Sequence, residues 1–123
     1  MRKLTIGVLE SRFADYIWAN APIRSRDLVK YGEEAFNWKR TTTYTVLKRL
    51  CDRGLFVTEN AVVSTLMSRD EFYAIQSEQF VESSFKGSLP DFFAAFATRK
   101  KPTAEEIETL HRMIDAWGGS ADE

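Results

Sequence analysis

Residues 37–56 read NWKRTTTYTVLKRLCDRGLF, and this stretch decides the predicted fold. Its apolar and small side chains recur at helical spacing, which predicts a helix whose inward face is Thr43, Val46, Leu47, Leu50 and Cys51. Gly54 supplies the left-handed residue that commonly ends a helix, and an apolar strand follows it directly. The outer face of this predicted helix then carries hydroxyls, one aromatic ring and cations.

The segments on either side of this helix complete a recognisable order of elements. Upstream, apolar residues at three- and four-residue steps predict a first helix that ends before Pro22. A second helix is predicted with Ser25 as its cap and an end near Gly32. Downstream, LFVTENAVVSTL (residues 55–66) predicts a hairpin that turns at Glu59-Asn60. Three helices followed by a hairpin wing predict a mainly α fold with a winged helix-turn-helix domain over residues 1–67.

Residues 68–123 are predicted to be helical. Capping signals at Ser68, Ser88 and Thr103 predict three further helices, which end near Phe85, by Lys100 and at Gly118-Gly119. Many large apolar side chains fall in this region, namely Phe72, Phe80, Phe92, Phe93, Phe96, Ile107, Leu110, Ile114 and Trp117. Three short helices cannot easily enclose them, so we expect a dimerisation region that buries them against a second copy. The open alternative is that the region folds back on its own N-terminal domain.

Charge is divided unevenly along the chain, although the formal net charge is only -1. Residues 1–53 hold eleven Lys and Arg against six Asp and Glu, whereas the remainder holds six against twelve. This division indicates a polyanion partner for the first part, unless the surface charges are partitioned at random. The chain has no long apolar run and no signal-peptide pattern, so we expect a cytoplasmic protein without membrane insertion.

The predicted outer face of the third helix has the chemistry of a DNA-reading surface. Thr41, Thr42 and Thr45 are short enough to let the helix backbone approach a major groove, and their hydroxyls can bond bases or phosphates. Arg40 and Lys48 provide charge, and Tyr44 provides a ring edge and a hydroxyl. A solvated β-branched helix is the alternative, which three consecutive threonines make less favourable.

The sequence lacks the residue patterns of an enzyme or a metalloprotein. We find no nucleophile with a base, no carboxylate pair in a cleft pattern and no phosphate loop, so no catalytic residues and no cofactor are predicted. Cys51 is the single cysteine and His111 the single histidine, and a metal site is therefore not expected. Cys51 is interpreted as a small core residue, with a redox-sensing thiol as the alternative.

Several segments in the same order resemble the penicillinase repressor family, the BlaI and MecI type of winged-helix transcriptional repressor. They are ESRFADYIW (residues 10–18), WKRTTTYTVLKRLCDRG (residues 38–54), STLMSRDEF (residues 64–72), KGSLPDFFAAF (residues 86–96) and PTAEEIETL (residues 102–110). The second of these is similar to the family pattern W-S-x-x-T-V-x-T-x-L-x-R-L-x-x-K-G. The resemblance covers nearly the whole chain.

The resemblance implies a homodimer on a palindromic double-stranded DNA operator, with the third helix of each subunit in a major groove. Thr42 and Thr45 match the two threonines of the family pattern and inherit its DNA-contact role. Lys39 stands where a Ser cap is usual, and the wing is shorter than usual and lacks basic residues. A winged-helix protein-interaction module that has lost specific DNA binding is therefore the alternative function.

The resemblance also bears on how the protein would be released from DNA. It implies a membrane-bound sensor protease system as a further partner, since family members are commonly cut near an Asn-Phe pair in the C-terminal arm. Ala95-Phe96 occupies the similar place without the Asn, so this cleavage is not predicted here. Copper-responsive relatives carry extra cysteines in the tail, and this sequence has none there.

Overall fold

The computed structural model describes the backbone of residues 6–121 and the side chains of residues 6–118. Within this range the chain forms six helices and three short strands. In chain order they are α1 (Val8–Asn20), β1 (Ile23–Arg24), α2 (Ser25–Phe36), α3 (Arg40–Asp52), β2 (Phe56–Glu59), β3 (Val62–Thr65), α4 (Arg69–Phe85), α5 (Leu89–Arg99) and α6 (Ala104–Ala121). The predicted mainly helical fold, with a winged helix-turn-helix followed by C-terminal helices, is confirmed.

The chain divides into two compact units, of which the first ends at Phe80 and the second begins at Val81. The core of the first unit draws on α1, α2, α3, the sheet and the start of α4. Its buried apolar residues are Phe13, Ala14, Ile17, Leu28, Val46, Leu47, Leu50, Leu55, Phe56, Val63 and Phe72. Trp18 is partly buried and packs against this core, and its Nε1–H donates to the carbonyl of Met67 at 2.9 Å.

The prediction that Phe72 belongs to a dimerisation surface is wrong. Its side chain is fully buried in the first unit, where its ring centroid lies 5.6 Å from that of Trp18 and 5.0 Å from that of Tyr73. The periodicity of α4 shows which face is apolar but not which neighbours cover it. Phe72 therefore stabilises the first unit, and this unit extends past residue 67, the predicted end of the winged-helix domain.

The three strands form one antiparallel sheet in the order β1-β3-β2. β2 and β3 pair from Phe56↔Thr65 to Glu59↔Val62, which confirms the predicted hairpin, but the turn lies one residue later than the predicted Glu59-Asn60. Their two-residue turn is Asn60-Ala61, with φ of 52° and 61°, the left-handed geometry that tight hairpins favour. β1 was not predicted, because two residues are too few to show an alternating pattern.

The prediction that α2 ends near Gly32 is wrong. Gly32 is buried inside the helix, which continues to Phe36 and ends where Asn37 takes a left-handed φ of 58°. Gly32 is needed for close packing, since a Cβ there would lie 2.5 Å from Thr43 Oγ1 on α3. The predicted Ser25 cap is also wrong, because Ser25 is the first helical residue and its N–H donates to the Ala61 carbonyl at 2.9 Å.

Local capping signals fix the starts of the helices in the second unit, as predicted. Ser88 Oγ accepts from the Asp91 N–H at 3.1 Å at the start of α5. At the start of α6, the Thr103 N–H donates to Glu106 Oε1 at 2.9 Å and the Glu106 N–H donates to Thr103 Oγ1 at 3.1 Å. The predicted end at Gly118-Gly119 is wrong, because α6 continues to Ala121. A glycine costs a helix only about 1 kcal/mol, which is too little to end it by itself.

Candidate nucleic-acid interface

α3 has two chemically distinct faces. Its inward face buries Thr43, Val46, Leu47 and Leu50, and Cys51 is half-buried beside them. Arg40, Thr41, Thr42, Thr45 and Lys48 are exposed on the outer face. Tyr44 is half-buried and packs against the edge of the core, so it presents less of its surface to solvent than the sequence suggested.

The outer side chains of α3 already make weak contacts with one another. Thr45 Oγ1 donates to the Thr41 carbonyl at 2.9 Å, which holds its rotamer and leaves the hydroxyl oxygen able to accept. The guanidinium of Arg40 lies 5.5 Å from the centre of the Tyr44 ring. Lys48 Nζ lies 3.1 Å from Asp52 Oδ2, and both side chains are more than 60% exposed. Such an exposed pair is worth at most about 1 kcal/mol, so a phosphate can replace the carboxylate.

The cations of the first unit do not all remain available. Arg49 and Arg53 both turn toward Glu10 of α1, with closest N–O distances of 3.5 and 3.9 Å. Arg24, Arg26, Lys30 and Lys39 are exposed, and none has a carboxylate within 4 Å in the described part of the chain. Lys39 precedes α3 without supplying a side-chain cap, so the first turn of α3 keeps its amides for an outside acceptor.

The wing differs in charge from the helices beside it. Residues 56–65 contain no Lys or Arg, and the one charged side chain is that of Glu59, which is exposed next to the turn. The turn is tied to the body of the unit by the hydrogen bond from the Ser25 N–H to the Ala61 carbonyl. The wing is therefore short, acidic and held against the start of α2.

An open groove of about 460 Å³ lies between α3 and β2. Tyr44, Lys48 and Cys51 line it from the helix, and Thr58 lines it from the strand. Cys51 Sγ lies 3.8 Å from Thr58 Oγ1. Burial raises the pKa of the Cys51 thiol, against a smaller opposing effect of the hydrogen bond to Thr58.

In the second unit, large apolar side chains remain exposed on both α5 and α6. Of the residues predicted for dimerisation, Ile114 and Trp117 are 58% and 59% exposed, and Phe93, Phe96 and Ile107 are also exposed. Phe92 and Leu110 are half-buried, and the Phe92 ring packs against Phe85 at a centroid distance of 5.7 Å. Leu89 and Met113 are exposed too, although neither was predicted for dimerisation. Met113 was detectable, because it lies three residues after Leu110 and four before Trp117.

The remaining predicted dimerisation residue, Phe80, ends the first unit and is half exposed. Among the side chains of residues 6–118, no three His, Cys, Asp or Glu are grouped so that they could hold a metal ion. None of the described helices combines the length and the apolar character that crossing a membrane requires.

Three helices with a small antiparallel wing, and a polar, partly cationic face on the third helix, define the class of winged helix-turn-helix proteins. The family profile described as penicillinase repressor matches residues 6–116, and the chain therefore belongs to the penicillinase repressor family. It is 20% identical over 103 residues to the penicillinase repressor of Bacillus licheniformis, with 80% of each chain covered. The family is one of transcriptional repressors rather than enzymes.

Proposed function

We propose that this protein is a homodimeric, sequence-specific DNA-binding repressor that places α3 of each subunit in a major groove of a palindromic operator. The observation that carries the proposal is the outer face of α3, where Thr41, Thr42 and Thr45 are all exposed between Arg40 and Lys48. A solvated helix gains nothing from three exposed β-branched residues, whereas a groove-binding helix gains close approach.

Base reading requires donors and acceptors on side chains short enough to reach the base edges. The hydroxyls of Thr42 and Thr45 can donate to or accept from bases, and their methyl groups can contact the thymine methyl. Because Thr45 Oγ1 already donates to the Thr41 carbonyl, it is preset as an acceptor. Thr45 is therefore suited to a base amino group, such as N4 of cytosine or N6 of adenine.

Phosphate contacts supply most of the affinity and fix the register on the duplex. Arg24 and Arg26 are exposed cations at the start of α2, Lys30 is exposed midway along it and Lys39 just before α3, and the uncapped first turn of α3 adds amide donors. Arg49 and Arg53 contribute less, because Glu10 offsets their charge.

Dimerisation through the second unit would supply bivalency. The exposed apolar side chains of α5 and α6 are too many for a solvated surface, and a second copy would cover them. Two reading helices held about one helical turn of DNA apart, roughly 34–36 Å, bind a palindrome much more tightly than either helix alone.

The test replaces hydroxyls on α3 without altering side-chain shape. Duplexes selected from a random pool by the wild-type protein serve as operator, and gel-shift titration gives affinities for operator and for unrelated DNA. Thr42→Val with Thr45→Val should lower operator affinity at least about tenfold, since each lost base contact costs about 1–3 kcal/mol, and should leave unrelated DNA nearly unchanged. Thr65→Val, an exposed threonine of β3, is the matched control. Unchanged operator affinity in the α3 variant would remove α3 as the reading helix.

The acidic wing favours a second candidate, a winged-helix protein-interaction module without specific DNA binding. Salt dependence separates the two. A DNA binder loses affinity steeply as salt rises from 50 to 200 mM, because bound phosphates release counterions. A protein adaptor forms no salt-sensitive DNA complex at any of these concentrations.

A further inference from the structure

One row of residues crosses the sheet just before the wing turn. Arg24 of β1 and Glu59 of β2 both pair with Val62 of the central strand β3. Residues directly opposite one another in an antiparallel sheet project to the same face. Arg24 and Glu59 therefore share the outer face of the sheet, two strand spacings or about 9–10 Å apart. Both side chains are exposed, and no ion pair within 4 Å joins them.

The position of this row is fixed relative to α2. The Ser25 N–H, one residue after Arg24, donates to the Ala61 carbonyl at 2.9 Å, so the turn cannot swing away from the start of the helix. Arg26 lies exposed in the first turn of α2. The Glu59 carboxylate is thus held on the same face of the sheet as Arg24, a cation that a nucleic acid would use.

The wing also lies beside the reading face of α3. Lys48 of α3 and Thr58 of β2 line the same open groove, and Glu59, the next residue, projects to the other face of the sheet at the tip of the wing. A duplex that contacts Lys48 therefore brings its phosphates toward the wing. The screening length is about 10 Å at 0.1 M salt and longer at lower salt, so a phosphate bound at Arg24 lies within range of the Glu59 charge at low salt.

We propose that Glu59 is an affinity-limiting residue that repels DNA phosphates from the wing and weakens binding to duplexes of any sequence. This inference rests on the proposed DNA-binding function. Nonspecific binding depends almost wholly on phosphate contacts, so the effect of Glu59 is measurable without knowing the operator. Arg24 attracts DNA phosphates at one end of the row, and Glu59 at the other end offsets part of this attraction.

The experiment measures binding of the full-length protein to a 30-base-pair duplex of arbitrary sequence between 50 and 200 mM salt. Glu59→Gln should bind about fivefold more tightly at the lowest salt, because two repulsive charges per dimer are removed. Glu59→Lys should in addition steepen the dependence of log affinity on log salt by about 0.9 for each new phosphate contact. Glu78→Gln, at an exposed position of α4, makes the same change in net charge and should leave affinity nearly unchanged.

The outcomes separate this inference from the function on which it rests. Salt-sensitive binding by the wild-type protein, with unchanged affinity in Glu59→Gln, would overturn the inference and leave the proposed function standing. Equal gains in Glu59→Gln and Glu78→Gln would also overturn it, since net charge alone would then explain the effect. No duplex binding by the wild-type protein or any variant would overturn the proposed function itself. Circular dichroism confirms that each variant is folded.

Discussion

The Cα of Gly32 in α2 faces the Thr43 side chain of α3 so closely that an added Cβ would lie 2.5 Å from Thr43 Oγ1. Real Cβ atoms do not approach oxygen to this distance, so any larger residue at position 32 must turn the Thr43 side chain or push the two helices apart. α3 carries the proposed reading face, and its angle relative to α2 therefore depends on this contact.

Gly32→Ala tests that contact directly. Alanine would gain up to about 1 kcal/mol in helix propensity, but the overlap with Thr43 should outweigh it and destabilise the protein by about 1–3 kcal/mol. Urea unfolding gives the change in free energy. In a Thr43→Ala background the overlapping oxygen is gone, so the same Gly32→Ala change should cost much less. Equal costs in the two backgrounds would show that Thr43 is not the obstacle.

Thr43→Val should leave the free energy of unfolding unchanged or raise it by about 1 kcal/mol. Thr43 Oγ1 is buried and has no hydrogen-bond partner in the described structure, and an unpaired buried hydroxyl is unfavourable. Valine keeps a similar shape, and it is the residue that the family pattern carries at this position. A loss of more than 1 kcal/mol on urea unfolding would mean that the hydroxyl does have a partner.

The glycine at position 32 also shows what the sequence could and could not predict. Most capping signals, which act within one helical turn, were predicted correctly, as at Ser88 and in the Thr103–Glu106 capping box, whereas the cap predicted at Ser25 was wrong. Gly32 was misread as a helix end, because its role depends on Thr43, a neighbour in space. Phe72 was misassigned for the same reason, since an apolar stripe does not identify what covers it. Of the candidate site, the exposed threonines were predictable from helical spacing, whereas the partial burial of Tyr44 was not.

The second unit should dimerise through its exposed apolar side chains. Ile114→Ser with Trp117→Ser removes two of the most exposed of these, and each counts twice in a symmetric pair. Losing about 1.5–3 kcal/mol per side chain should raise the dimer dissociation constant at least about a hundredfold, as measured by sedimentation equilibrium. Leu66→Ser, at an equally exposed apolar residue of the first unit, is the matched control. An unchanged dimer in the double variant would assign the interface elsewhere.

Protonation of Glu106 should weaken the start of α6. The Thr103 amide and then the Thr103 hydroxyl hold the pKa of Glu106 below its ordinary value, because they favour the carboxylate. The stabilisation is therefore fully present above the unfolded pKa of about 4.3 and is lost as pH falls through the lower folded pKa. Glu106→Gln keeps the shape without the charge. The difference in Tm between wild type and this variant should be constant above about pH 5 and should shrink below it; a difference that persists at low pH would contradict this account.

The Cys51 thiol should react slowly with iodoacetamide at pH 8. Burial raises its pKa and so lowers the thiolate fraction, and the side chain is only partly accessible. Thr58→Val removes a hydrogen bond that favours the thiolate, and labelling should slow further. Mass spectrometry follows the modification, with urea-unfolded protein as the reference for a free thiol. Labelling of the folded protein at the unfolded rate would show that burial does not restrain the thiol.

The hydrogen bond from the Ser25 amide to the Ala61 carbonyl fastens the hairpin loop to the first residue of α2. A two-residue loop reaches the amide only because both of its residues take left-handed backbone angles. Inserting residues to build a longer, basic loop would move the Ala61 carbonyl away from the Ser25 amide and break this hydrogen bond. A longer loop in this scaffold would therefore make the start of α2 less rigid, whereas changing the charge at position 59 keeps the hydrogen bond between the Ser25 amide and the Ala61 carbonyl.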